Sequence, residues 1–121
     1  MSEKNGRFVP SRELILASKD TLPEEYVPVP EWAEGAEVLV RGANAEERIL
    51  WYEKAQVDGK LDLRLAQGMA LVYGVKDPAF TEEDVPALLQ LSGAAVARIQ
   101  AVWQRLSGLS EEPLLEARKN S

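Results

Sequence analysis

The sequence predicts an α+β fold: a single, mostly α-helical domain with an N-terminal β-hairpin. Its 121 residues are the usual length of one domain, with enough chain to bury one core. Two short valine-rich segments within about 26–41 are separated by Gly35, which is the pattern of a hairpin. Apolar residues then recur at helical spacing over about 44–118. Because residues 1–10 are polar, we expect them to be disordered and residues 11–121 to form the domain.

The domain is expected to open with a short helix. Ser11 is a suitable N-cap, and a leucine-isoleucine-leucine run at 14–16 supplies the apolar content. The helix should end by Asp20, because the residue before Pro23 is biased away from helical geometry.

The hairpin follows, with an unusual constraint on its first strand, Val27–Trp32. Pro28 and Pro30 are two residues apart, so their missing N–H groups fall on the same lateral edge. That edge cannot form a hydrogen-bonded ladder, and we expect an edge strand paired on one side only, with Ala36–Arg41. A lone hairpin is marginal in water, so it should pack on helices or on another subunit.

Two longer helices are expected next. Asn44 and Glu47 have the spacing of a capping box, and this helix should run to about Val57. After a turn, a second helix should span about 61–73, where Gly68 indicates a close helix contact because glycine is otherwise unfavourable there. The apolar stripe of the second helix consists of Leu61, Leu65, Met69 and Val72.

The last third of the chain begins with a loop at 74–80. Thr81 should cap a short helix, and Ser92 should cap a longer one that ends at Gly108. Ser110 should cap a final short helix whose only apolar residues are Leu114 and Leu115. The stripe of the longer helix, in which Trp103 is expected to be a core residue, consists of Val96, Ile99, Val102, Trp103 and Leu106.

Composition argues against several classes of function. A net charge of −6 does not suit a protein that neutralises phosphates or binds an anionic membrane. No apolar run approaches the roughly 20 residues that span a bilayer. We therefore expect a cytosolic protein with no nucleic-acid or membrane partner.

Enzymatic chemistry is not expected either. The chain has no cysteine and no histidine, which removes the commonest nucleophile–base pairs and metal ligands. Most of its acidic clusters follow candidate N-caps, where the helix dipole explains them. We predict no catalytic residue, no metal and no cofactor. The acidic clusters are Glu24-Glu25, Glu46-Glu47, Glu82-Glu83-Asp84 and Glu111-Glu112.

The chain has more apolar helix surface than one core face needs. Ile49, Leu50, Trp51 and Tyr52 are consecutive and would cover all sides of a helix at about 100° per residue. Either this helix is central in the fold, or part of the run contacts a partner. Trp32, at the end of the hairpin, could be a lid on the core or a contact residue, because tryptophan is enriched in binding hot spots.

The order of these motifs resembles the tail assembly chaperones of bacteriophages with long, flexible tails. Members of that family have a short helix and an Asp-Leu-Pro-like turn, similar to residues 14–23 here. A Val-Pro-Glu-Trp strand, a Val-x-Val-Arg-Gly strand, a Glu-Arg helix start, a Phe-Thr-x-x-Asp-Val element and a Leu-Ser-Gly-Leu-Ser tail follow. The corresponding residues are Val29–Trp32, Val38–Gly42, Glu47-Arg48, Phe80–Val85 and Leu106–Glu112, with Lys119-Asn120 beyond them.

The resemblance implies a non-enzymatic protein of the host cytoplasm. Such chaperones bind the long helical tape measure protein, keep it soluble, help recruit tail tube proteins and are absent from the mature virion. Two alternatives stay open: a minor structural protein of the phage neck or tail, and an acidic host protein-interaction adaptor. We also expect self-association, through the open edges of the hairpin and the apolar run. The residues expected to bind a partner are Trp32, Ile49, Trp51, Tyr52, Leu114 and Leu115.

Overall fold

The structure, a computed structural model, describes residues 2–4 and 6–109 and is a single small α+β domain, as predicted. Its strands are β1 (Ser2–Lys4), β2 (Arg7–Val9), β3 (Glu24–Pro28), β4 (Glu37–Arg41), β5 (Gln56–Val57), β6 (Lys60–Leu61) and β7 (Val75–Asp77). Its helices are α1 (Arg12–Ala17), α2 (Ala45–Lys54), α3 (Leu63–Gly74), α4 (Val85–Leu88) and α5 (Gly93–Leu106). Single 3₁₀ turns lie at Ser18–Asp20 and Glu82–Asp84.

The predicted hairpin is formed by β3 and β4, which pair antiparallel with Val27 opposite Val38. Beyond the end of β3, the Val29 N–H still donates to the Ala36 carbonyl at 2.8 Å. The sheet order β3-β4-β7 leaves β3 at an edge, as the prolines predict.

The loop predicted for 74–80 is wrong in its first half, because it contains β7. This strand pairs with β4, with Val40 opposite Val75 and Leu39 opposite Asp77. Val75 follows α3 directly and is buried, so the chain returns along the sheet with its first side chain in the core. β4 is therefore the central strand of the sheet, and its outer edge is covered.

Helix α2 begins at the predicted capping box. The Asn44 side chain accepts from the Glu47 N–H at 2.7 Å, and the Glu47 carboxylate accepts from the Asn44 N–H at 3.1 Å. The helix ends at Lys54, three residues before the predicted end, because β5 and β6 form a small hairpin there. Asp58 and Gly59 both have positive φ, as a two-residue type I′ turn requires.

The core lies between the sheet and helices α2, α3 and α5. Trp51 and Trp103 form its centre, with ring centroids 5.4 Å apart and planes inclined by 59°. Two glycines of α3 permit the close packing around it. A Cβ on Gly74 would lie 2.6 Å from Trp103 Cδ1, and one on Gly68 would lie 2.5 Å from Val85 Cγ1. The close helix contact predicted at Gly68 is therefore confirmed.

Helix α5 begins and ends where the sequence predicts. The Ser92 hydroxyl accepts from the Ala95 N–H at 3.3 Å, and Gly108 has a φ of +70°. The Leu109 N–H donates to the Gln104 carbonyl at 3.0 Å, completing the Schellman geometry that glycine favours at a helix end. Three residues of the predicted stripe are fully buried, and the other two are half-buried. The buried residues are Val96, Ile99 and Trp103, and the half-buried residues are Val102 and Leu106.

Residues 2–4 and 6–20 form an N-terminal arm, which contains two short strands within the segment 1–10 that was expected to be disordered. Within it, β1 and β2 pair antiparallel around Gly6, whose φ of +75° suits a tight turn. Helix α1 is capped as predicted, with the Ser11 hydroxyl accepting from the Leu14 N–H at 3.2 Å. No residue of α1 is buried. The body of the protein, residues 21–109, therefore builds its core without this helix.

Candidate docking surface on helix α2

Helix α2 divides the apolar run between the core and the solvent. Trp51 is 1% exposed, and its indole N–H donates to the Ala66 carbonyl at 2.9 Å. Leu50 is half-buried, whereas Ile49 and Tyr52 are 60% and 44% exposed. The helix is thus not central, and two members of the run are free to contact a partner. Trp51, expected to bind a partner, is instead a core residue, because its indole is enclosed by α3 and by the ring of Trp103.

The exposed pair belongs to a continuous apolar stripe. Ala45, Ile49 and Tyr52 occupy positions i, i+4 and i+7, which lie on one face of a helix. At about 100° per residue, Arg48 falls on one side of this stripe and Glu53 on the other. The stripe is therefore centred on a different side of α2 from Trp51, about 120° around the helix.

An open groove of about 510 Å³ runs along this stripe. Leu109 closes the groove from the end of α5, where the Schellman turn holds it against the core. We call this surface the α2 groove. Its lining residues are Ala45, Arg48, Ile49, Trp51, Tyr52, Glu53 and Leu109.

The chemistry of the α2 groove suits an amphipathic helix. Such a helix binds through apolar side chains at i, i+3, i+4 and i+7, laid in a groove of matching spacing. Tyr52 adds a large, rigid ring with a polar tip, a type of residue favoured at binding hot spots. Arg48 and Glu53 at the rim can pair with charges on either side of an incoming helix.

Trp32 and the C-terminal leucines do not belong to this surface. Trp32 is half-buried and packs against the core, and its N–H donates to the Val29 carbonyl at 2.9 Å. Its indole nitrogen is buried and has no hydrogen-bond partner among the described residues. Of the two interpretations of Trp32, the lid on the core is therefore favoured. Leu114 and Leu115 lie outside the described residues.

The two edges of the hairpin are less open to further pairing than the sequence predicts. The outer edge of β4, expected to be free for self-association, is occupied by β7. At the edge of β3, the Arg98 guanidinium donates to the Pro28 carbonyl at 2.9 Å. The same guanidinium holds both oxygens of Glu31, at 2.9 and 2.7 Å. These bonds, chiefly the hydrogen bond from Arg98, lower the pKa of the Glu31 carboxyl to about 2.

Several members of the acidic clusters that the structure describes at helix starts form caps and ion pairs. Glu47 caps α2 and also lies 3.6 Å from Arg41 and 3.5 Å from Lys76. Asp84 accepts from the Thr81 N–H at 2.8 Å, and Glu82 pairs with Lys54. Among residues 2–4 and 6–109 there is no group of three or more acidic, histidine or cysteine side chains placed to hold a metal ion. No helix in that part of the chain is long and apolar enough to cross a membrane.

Part of the α2 groove could have been read from the sequence. The spacing of Ala45, Ile49 and Tyr52 is visible there, but a run of consecutive apolar residues does not show which of its members, Trp51 included, is buried. Leu109 carries no such signal, because it reaches the groove only through the packing of α5. Comparison of the chain with protein-family models, with curated proteins and with solved structures gives no match.

Proposed function

We propose that this protein is a tail assembly chaperone of a long-tailed bacteriophage, acting in the host cytoplasm. In this role it binds the tape measure protein, keeps it soluble and helps recruit tail tube proteins, without entering the mature virion. The observation that carries the proposal is the α2 groove, in which exposed Ile49 and Tyr52 lie along an open apolar channel. The order of sequence motifs along the chain supports the same role.

The groove offers a physical route to chaperone action. A long helical protein without its assembly partners exposes apolar stripes, which associate with one another because burial of apolar area is favourable. Docking such a stripe against Ile49 and Tyr52 covers part of it. The net charge of −6 on this chain then keeps the complex dispersed through mutual repulsion.

Co-expression with the tape measure protein of the same phage tests the proposal. Ile49→Glu places a charge in the groove, and Tyr52→Ala removes its largest exposed ring. If these side chains are hot spots, each change should weaken binding by about 1–2 kcal/mol or more, about tenfold in affinity. Less tape measure protein should then remain in the soluble fraction. Leu91→Glu is the matched control, because Leu91 is similarly exposed, at 43%, and lies outside the groove.

The control should keep the tape measure protein as soluble as the wild type does. If Ile49→Glu and Tyr52→Ala also do so while remaining folded, the α2 groove is not the binding surface. Mass spectrometry of purified virions separates the chaperone from the alternative of a minor neck or tail protein. A chaperone should be missing from the particle, and a stoichiometric amount in it would contradict the proposal.

A further inference from the structure

The N-terminal arm exposes apolar side chains that its own body does not cover. Ile15 is 53% exposed, and the other large apolar residues of the arm are exposed to a similar degree. Five large exposed apolar side chains in so short a segment are candidates for a contact surface. A six-residue helix is also too short to be stable alone, so α1 gains most by docking. The exposed apolar residues of the arm are Phe8, Val9, Leu14, Ile15 and Leu16.

The charge of the arm differs from that of the rest of the chain. The first 20 residues carry four basic and three acidic side chains, whereas the remaining residues carry 10 basic and 17 acidic. Two copies of such a chain repel each other through their bodies. The arm is weakly positive and is attracted to the body of another copy.

We propose that the arm of one copy docks, through α1, in the α2 groove of a second copy. One face of the apolar run at 14–16 would then meet Ile49, Tyr52 and Leu109. Helix α1 begins with Arg12 and Glu13, and the rim of the groove carries Glu53 and Arg48, so each charge has an opposite partner available. Docking on its own body is not what the structure shows, since the apolar side chains of the arm are exposed there.

In this arrangement, copies of the chain associate through the arm and the α2 groove, and not through the hairpin edges expected from the sequence. The outer edge of β4 is occupied by β7, and Arg98 holds the Pro28 carbonyl at the edge of β3, so the two hairpin edges expected to pair are poor routes to a dimer. Arm and groove are different surfaces, so the contact is heterologous, and two copies close a dimer only by exchanging both arms. The inference does not depend on the proposed function. If both hold, the arm and the tape measure helix compete for the groove.

Sedimentation velocity on the full chain tests the proposal with three variants. Ile15→Glu damages the arm, Ile49→Glu damages the groove, and Leu91→Glu is the control at another exposed apolar site. We expect the wild type to associate with increasing concentration. Each of the first two variants should raise the dissociation constant at least tenfold, and the control should leave it unchanged. A wild type that stays monomeric at millimolar concentration, or variants that associate like the wild type, would overturn the proposal.

Mixing the two damaged variants gives a sharper result. The Ile49→Glu chain keeps an intact arm, and the Ile15→Glu chain keeps an intact groove, so the mixture should form one-to-one dimers that neither variant forms alone. Absence of these mixed dimers would count against arm-in-groove docking.

A cross-link identifies which body the arm occupies. The chain has no cysteine, so the double variant Leu16→Cys, Ile49→Cys contains a single pair of thiols. Mild oxidation should yield a covalently linked dimer on a denaturing gel. A monomer closed by an internal disulfide would show that the arm docks on its own body, and the proposal would be wrong.

Discussion

Helices α1 and α2 each contain a run of consecutive apolar residues, but the two runs are buried to different extents. In α2, Trp51 is buried against Trp103 and donates a hydrogen bond to α3, while Ile49 and Tyr52 are exposed to solvent. In α1, the whole run at 14–16 is exposed. A run of apolar residues therefore does not determine burial. What differs is the surroundings: one face of α2 packs against α3 and Trp103, whereas no residue of α1 is buried against another element.

The arm and the body differ in the same way as the two helices do. The body has a core, ion pairs between elements and capped helices. No ion pair between described side chains joins the arm to the body. We therefore expect substitutions in the body to change the global free energy of unfolding, and equivalent substitutions in the arm to leave it nearly unchanged.

The largest contrast is expected between Trp51→Ala and Ile15→Ala. Removing the Trp51 indole leaves a cavity beside Trp103 and removes the hydrogen bond to the Ala66 carbonyl, so the body should lose about 3–5 kcal/mol. Ile15 is exposed, and its truncation should change stability by less than about 0.5 kcal/mol. Urea denaturation followed by circular dichroism measures both. Similar losses in the two variants would show that the arm is part of the cooperative unit.

A second contrast is expected between alanine substitutions at two glycines of the body, Gly74 and Gly93. Gly74→Ala would place a Cβ 2.6 Å from Trp103 Cδ1, and the repacking should cost about 1–3 kcal/mol. Gly93 has open space around its Cβ position at the start of α5. Gly93→Ala should be neutral or should stabilise by up to about 1 kcal/mol, by lowering the entropy of the unfolded chain. A stable Gly74→Ala variant would indicate that Trp103 can move.

The two N-caps give a smaller contrast. Asn44→Ala removes half of the capping box of α2 and should lower the free energy of unfolding by about 1 kcal/mol. Ser11→Ala removes the equivalent bond in α1, but α1 buries nothing, so the midpoint of global unfolding should not change. Hydrogen exchange at the Leu14 amide should accelerate instead. A shift of the global midpoint by Ser11→Ala would mean that α1 is coupled to the body.

The smallest expected effect concerns pH and the Arg98–Glu31 pair. The pKa of Glu31 is lowered from 4.5 to about 2 in the folded protein, so its charged form favours folding. That contribution is complete above about pH 5 and is lost as the pH falls towards 2. The stability difference between wild type and Glu31→Gln should therefore shrink over this range. The pair is exposed and screened by water, so the difference should be small and should decrease with added salt. A difference that grows on acidification would contradict this assignment.

How much the sequence could predict depends on whether the signal is local. The capping box at Asn44, the Ser92 cap, the glycine stop at Gly108 and the one-sided pairing of β3 are each written in a few adjacent residues, and all are confirmed. Each depends on backbone hydrogen bonds that such a short segment determines by itself.

The features that the sequence missed depend on distant packing. β7 has only three residues, and it is a strand because α3 returns the chain beside β4. Trp51 is buried while Ile49 and Tyr52 are exposed because of the face that α2 turns towards α3. An unbroken apolar run does not specify which face that is. Leu109 joins the α2 groove only because α5 ends beside α2. None of these positions could be found without the tertiary contacts.

The place of β4 in the sheet also sets an order of events during synthesis on the ribosome. β3 and β4 are close in sequence and can pair as soon as both have emerged, but the second edge of β4 waits for Val75–Asp77. In the interval, a growing chain presents a valine-containing strand with one unpaired edge, which is a template for aggregation. A chain that is terminated between β4 and β7 would keep this edge of β4 unpaired.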